Sequence, residues 1–289
     1  MSPSRGSVGS TVPAADLRGT NVSEPVIAQL ATEWATIDEL CTSLAPTDWD
    51  RPTDCPGWTV RDLVSHMIGT ERMLLGDAAP PAPGAVGEHV RNPIGEANEA
   101  WVDARRGLSG DEVLAEFREV TNRRLEELNA LTPEDFDRVG FTPEGEGPYR
   151  RFMEIRLFDC WEHEQDIRRA VARPGHLDGP IAAAAVQKVA AAAGYVVGKK
   201  AGAPDGSTVV FEVHGPVELT VPVAVEGRAR VLEDAPADPT ATIRLDTEVY
   251  NALGCGRWSG EQAMASGRVE LAGDTELARR VVDNMAFTI

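Results

Sequence analysis

Asp159, His163 and Asp166 stand at i, i+4 and i+7 in RLFDCWEHEQDIRR, residues 156–169, so a helix would project all three from one face. Phe152, Ile155, Phe158, Trp161 and Ile167 flank them, turning much of that helix towards a core, where unpaired carboxylates are costly. A divalent cation relieves the cost. A carboxylate oxygen and an imidazole nitrogen one turn apart reach the same ion, and Asp166 is placed to orient a ligand from behind. A solvated face, or an Asp and His bonded only to each other, gives the same spacing, so the reading turns on a second histidine arriving from another element.

The elements that would supply it can be traced in order. A first helix is expected to begin near Ser23, with Pro25 in its first turn and Ile27, Leu30, Trp34, Ile37, Cys41 and Leu44 forming one apolar stripe. Thr59 and Asp62 form a capping box that opens a second helix, whose buried face takes Val60, Leu63, Val64, Met67 and Ile68. His66 lies on the border of that face. Residues 77–98 form a Pro/Gly-rich crossover, a lid or a linker, in which His89 reads as an ordinary exposed loop residue. Ser109 and Glu112 cap a third helix with Leu114, Phe117, Thr121, Leu125 and Leu128 inward. LAPTDWDR at 44–51 recurs as LTPEDFDR at 131–138, and each copy leads into a His-bearing helix. If two related hairpins pack together, His66 and His163 take comparable inward positions, as metal sites in bundles require.

PGHLDGP at 174–180 breaks the helical pattern and marks a domain boundary. The Ala-rich stretch beyond it is interrupted by Gln187 and Lys188 and reads as a soluble helix rather than a membrane span. STVVFEVHG, PVELTVPVAVEG and RARVLE follow as an antiparallel meander, then TATIRL, a short helix, GRVELAG and a last helix capped by Asp274. The fold class is therefore helical, then α+β: a tail over 1–22, a bundle over 23–174 and a smaller domain over 175–289. A chain of 289 residues can bury two cores. Its 28 basic and 46 acidic residues leave a net charge of −18 without a basic block, which excludes nucleic acid as a partner. Cys41, Cys55, Cys160 and Cys255 show no disulfide spacing, no signal peptide is readable, and a cytoplasmic chain is expected. The preference for Arg over the three lysines, with abundant Ala, Gly and Pro, suits a GC-rich source.

DRPTDCPGWTVRDLVSHM and FDCWEHEQDIRR together resemble the DinB-like, mycothiol-dependent maleylpyruvate isomerase family, and the pattern from ATIRLDTEVYNALGCGR to ASGRVELAGDTELARRVVDNM is similar to its sterol-carrier-protein-like C-terminal domain. The resemblance covers nearly everything after the tail. It implies a four-helix bundle with a divalent metal, zinc by expectation, held by His66, Asp159 and His163. Many members carry glutamate where this chain has Asp159, a shorter ligand that shifts the ion or its denticity.

Three protein ligands leave a coordination position open, and zinc there deprotonates a thiol at neutral pH. The resemblance implies mycothiol as that thiol, used for S-transfer to, or cis–trans isomerisation of, a small electrophilic metabolite. A hydrolase with Asp166 or Glu162 as base and a non-catalytic carrier of an apolar ligand are the rivals. From the C-terminal domain Arg257, with Arg244 as alternative, is expected to meet an anionic part of the substrate. The crossover around 85–98, with Asn92 and Asn98, and the interdomain cleft are the surfaces for the thiol's sugar. Cys55, Cys160 and Cys255 have no His or base at a persuasive sequence relation to make them nucleophiles, and Cys160 is assigned to packing. No membrane partner is expected, and the chain is taken as a monomer or homodimer.

Overall fold

The computed structural model describes residues 24–84 and 86–288; the expected tail and the Ser23 cap lie outside them. Helix α1, Pro25–Thr42, starts with Pro25 in its first turn, where a missing N–H costs nothing. Its Glu24 cap makes no side-chain cap bond and pairs instead with Arg150. Helix α2, Val60–Leu74, opens on the expected box: the Thr59 side chain accepts from the Asp62 N–H, and the Asp62 carboxylate accepts from the Thr59 N–H at 2.9 Å.

The crossover is not structureless. Asn92 accepts from the Gly95 N–H at 2.8 Å and caps helix α3, Pro93–Asp103. Gly69 lets α3 approach α2, since a Cβ there would stand 2.4 Å from that of Trp101. The Ser109/Glu112 box then opens α4, Gly110–Ala130. A single-turn helix, α5 (Pro133–Phe136), and a hairpin of β1 (Val139–Thr142) and β2 (Gly145–Pro148) lead into the long α6, Tyr149–Ala170. The repeated octapeptides build matching corners. Asp48 accepts from Ala45 N at 3.0 Å and Asp135 from Thr132 N at 2.9 Å, Arg51 and Arg138 pair with those aspartates, and Trp49 and Phe136 are buried.

After α6 come α7 (Gly179–Ala191), the short α8 (Ala193–Tyr195) and a π turn over Val196–Lys200. This stretch is long and apolar enough to cross a membrane. In the fold its side chains serve two protein cores: Ile181, Ala182 and Ala185 join the core of the bundle, Val186, Val189 and Val197 that of the C-terminal half.

That half contains a five-stranded sheet in the order β5-β4-β3-β6-β7, formed by β3 (Thr208–His214), β4 (Leu219–Glu226), β5 (Arg228–Val231), β6 (Ala241–Asp246) and β7 (Val269–Gly273). The meander holds for β3 to β5, but β6 returns alongside β3 and runs parallel to it, so the sheet is mixed. In that register Val209, Phe211 and Val213 align with Ala241, Ile243 and Leu245, extending one apolar face. The face is covered with help from α9 (Thr247–Gly254) and α11 (Thr275–Val282); α10 (Gly260–Ala265) lies between them in sequence. Asp274 caps α11 by accepting from Leu277 N at 2.9 Å.

Candidate metal centre

His66 on α2 and His163 on α6 meet inside the bundle, their rings 5.0 Å apart and nearly perpendicular. Asp159, one turn before His163, lies between them: its Oδ2 is 3.3 Å from His66 Nε2 and its Oδ1 is 3.6 Å from His163 Nε2. One donor atom from each residue falls within 4.8 Å of the others. Both imidazoles are buried, while the Asp159 side chain is 30% exposed and gives the group its access to solvent.

A second layer fixes these groups. Arg156, one turn below Asp159 on α6, donates to its Oδ2 at 2.5 Å and to buried Glu71 at 2.9 Å, and Arg124 of α4 donates to the other Glu71 oxygen at 3.0 Å. Burial opposes a charge on Asp159, yet Arg156 and the two imidazoles outweigh it and hold the carboxyl well below the usual range. Burial depresses the His66 pKa against the pull of Asp159 and favours the neutral, ligating form. Trp58, whose indole N–H donates to Glu99 at 3.0 Å, lies 5.2 Å from the His66 ring and 6.3 Å from that of His163. His66 Nδ1 has no hydrogen-bond partner among the described residues, so packing of this kind orients the ring.

Asp166 stands behind His163, with Oδ2 3.1 Å from Nδ1. A proton on Nδ1 donates to that carboxylate and leaves Nε2 with its lone pair towards Asp159 and His66. The expected role of Asp166 as an orienting group therefore has its geometry. Arg257 reaches it from the C-terminal half, with Nε 3.0 and 3.1 Å from the two oxygens and Nη2 3.0 Å from Oδ2, and Arg169 donates at 2.5 Å. Burial would raise the Asp166 pKa, but Arg257, His163 and Arg169 drive it far below the ordinary carboxylate range. Arg244, the alternative, is half exposed on the sheet and pairs with Glu212 and Glu270.

Several neighbours escaped sequence reasoning. The Cys55 thiol is 3.2 Å from Asp166 Oδ2 and 4.0 Å from His163 Nδ1, giving a second three-donor set. A cation there would compete with two guanidinium groups already on Asp166, and burial raises the thiol's pKa well above its usual value. The His66, Asp159 and His163 set, with two imidazoles and an ionised carboxylate, is the better candidate for a divalent ion. Glu162 also lies near Arg257; burial pushes its carboxyl up to about 7. The sequence offered it only as a base for a hydrolase; its nearness to Arg257 comes from the tertiary fold. His89 is not part of the group: its Nε2 is 3.3 Å from Glu99, and the ring is only one-fifth exposed. Asn92 is committed to its helix cap.

A cleft of about 540 Å³ opens between the halves, lined by Thr53, Asp54 and Arg169 from the bundle and by Glu248 and Trp258 from the C-terminal half. It contains none of the three ligating candidates but reaches the centre through Arg169, which bridges Asp54 and Asp166.

A helical bundle gathering two imidazoles and a carboxylate, joined to a mixed α/β half that sends in an arginine, defines a two-domain protein with a candidate metal centre. Residues 30–168 match the mycothiol maleylpyruvate isomerase N-terminal domain and residues 183–280 the C-terminal domain of the same family. The chain belongs to this mycothiol-dependent maleylpyruvate isomerase family, with its DinB-like bundle and sterol-carrier-protein-like second domain. Crystal structures of the mycothiol-dependent maleylpyruvate isomerase and of a histidine-to-alanine mutant superpose with TM-scores of 0.55 and 0.54 over 86% of this chain and 91% of theirs, at 17% and 15% identity. At that identity the likeness speaks for the fold. Uncharacterised proteins from two strains of Mycobacterium tuberculosis are 29% identical over 154 residues, which is 52% of this chain and 58% of those relatives.

Proposed function

We propose that the protein is a mycothiol-dependent metalloenzyme that transfers the thiol to, or isomerises a cis double bond of, a small electrophilic metabolite. The observation that carries this reading is the convergence of His66, Asp159 and His163 from two helices into one solvent-reached group. These residues would hold a divalent ion, zinc by its donor set. The ion supplies the positive charge that makes a thiol an anion at neutral pH. Arg156 keeps Asp159 ionised and pointed inward, and Asp166 holds the proton of His163 on Nδ1. Arg257 brings a guanidinium to the same edge, where an anionic substrate group would share it with Asp166. The cleft beside Arg169 offers polar side chains and the Trp258 ring to the sugar of mycothiol. Electrophile and thiol would thus approach from the domain junction, which we place near residue 174, in a cytoplasmic monomer or homodimer.

The hydrolase reading loses Asp166 as base, because two arginines keep that carboxylate from accepting a proton near neutrality. Glu162, with its pKa near 7, is its remaining candidate. Metal analysis and a mycothiol-consumption assay against an electrophile panel test the proposal. Metal-loaded protein should bind mycothiol with release of a proton, read by calorimetry in buffers of different ionisation enthalpy, and His163→Ala should lose both. Equal binding by both proteins, without proton release, would put the hydrolase or the carrier ahead.

A further inference from the structure

A third cluster lies on another face of α6. Glu164 is fully buried there, facing fully buried Glu33 of α1 and His176 in the segment between α6 and α7. His176 Nδ1 is 2.6 Å from Glu164 Oε2 and 3.8 Å from Glu33 Oε2, and one donor atom from each residue falls within 4.8 Å of the others. Arg168 occupies the remaining Glu164 oxygen at 2.6 Å. Neither oxygen of Glu33 has a hydrogen-bond partner among the described residues. Of the two carboxylates, Arg168 thus serves Glu164 alone; burial and the Glu164 carboxylate push the Glu33 carboxyl well above its usual range, since an uncompensated charge in that buried position is costly.

We propose that Glu33, Glu164 and His176 form a second divalent-cation site, separate from the His66, Asp159 and His163 group. An imidazole with two carboxylates is a donor set for zinc and its first-row neighbours. Donors about 2.0–2.1 Å from a tetrahedral ion stand about 3.3 Å apart. The 2.6 Å contact would open and the 3.8 Å contact close, each by well under 1 Å, to reach that spacing. His176 is already presented for it. Its backbone takes a positive φ of 55°, rare for a residue with a Cβ, and its carbonyl accepts from Trp161 Nε1 at 3.0 Å and Gln165 Nε2 at 3.4 Å. The imidazole is 20% exposed, which leaves a route for the ion and a place for a water ligand. A cation here would tie α1, α6 and the start of the linker into one unit and so set where the second half of the chain departs from the bundle.

The test counts metal in the full-length chain, stripped with chelator, reloaded with Zn²⁺ and dialysed. Wild type should hold about two ions per chain, Glu33→Gln one, His163→Ala one and the double variant none, as expected from one ion for each three-ligand set. Zn²⁺ should also raise the unfolding temperature of His163→Ala but not of the double variant. The proposal is overturned if Glu33→Gln leaves the zinc count unchanged in both backgrounds. A count that falls with Glu33→Gln but not with His163→Ala supports this site and removes the other. Should Glu33→Gln fail to fold, a zinc-edge anomalous map of the wild-type crystal decides, a peak between the three residues supporting the site and its absence there refuting it.

Discussion

Glu162 is 3% exposed, and neither of its oxygens has a hydrogen-bond partner among the described residues. Burial pushes its carboxyl from 4.5 to about 7; Arg257 pulls it down and Asp166 adds to the rise. An acid with a higher pKa in the folded than in the unfolded chain holds its proton more tightly in the fold. Its stability is complete below 4.5 and is lost as the pH climbs through about 7. At about 1.36 kcal/mol per pK, the interval from 4.5 to about 7 corresponds to about 3 kcal/mol. Glu162→Gln has nearly the same shape and cannot ionise. In guanidinium unfolding of chelator-treated protein, variant and wild type should differ by a constant amount below about pH 4, and the variant should gain about 3 kcal/mol relative to wild type by about pH 8. Parallel stability curves across that range would show that Glu162 takes up no proton on folding, and the acid–base role left to it in the hydrolase reading would fall with it.

Other perturbations probe the layers around the centre. Glu71→Ala removes the buried carboxylate that Arg124 and Arg156 share and should cost about 3–5 kcal/mol in denaturant unfolding. Asp166→Asn removes the acceptor for His163 Nδ1 and should weaken zinc affinity about 10- to 100-fold in a chelator competition. Arg257→Met should leave the zinc content intact while raising KM for an anionic electrophile by about tenfold, the loss of one charged hydrogen bond of about 1.5 kcal/mol. Asp159 and Asp166 both have depressed pKa values, so their contribution to stability is present above the ordinary carboxylate range and is lost as the pH falls below about 4, measurable as acid unfolding.

Much of the helical framework was written locally. The boxes of Thr59 with Asp62 and Ser109 with Glu112, and the Asp274 cap, are bonds between neighbours three residues apart, so residue types at fixed spacing are enough to place them. The shared face of Asp159, His163 and Asp166 is likewise a property of one helix, and the repeated octapeptide announced two similar corners before any packing was known. Other features depend on which surfaces meet. Helix α3 hides in a Pro/Gly-rich crossover because its apolar contacts, such as Trp101 over Gly69, come from α2. Strand β6 runs parallel to β3 because a distant loop lets it extend a buried face, and periodicity within a strand carries no information about its neighbour. Arg257 and Asp166 are 91 residues apart, and His66 and Asp159 are 93 apart. Glu33 reads in sequence as a polar interruption of an amphipathic stripe; only the arrival of Glu164 and His176 makes it part of a charged interior. Short-range geometry thus determined the faces, whereas burial, which bears on the pKa values of His66 and Asp159 and depends on chain segments folding together, was decided by the tertiary structure alone.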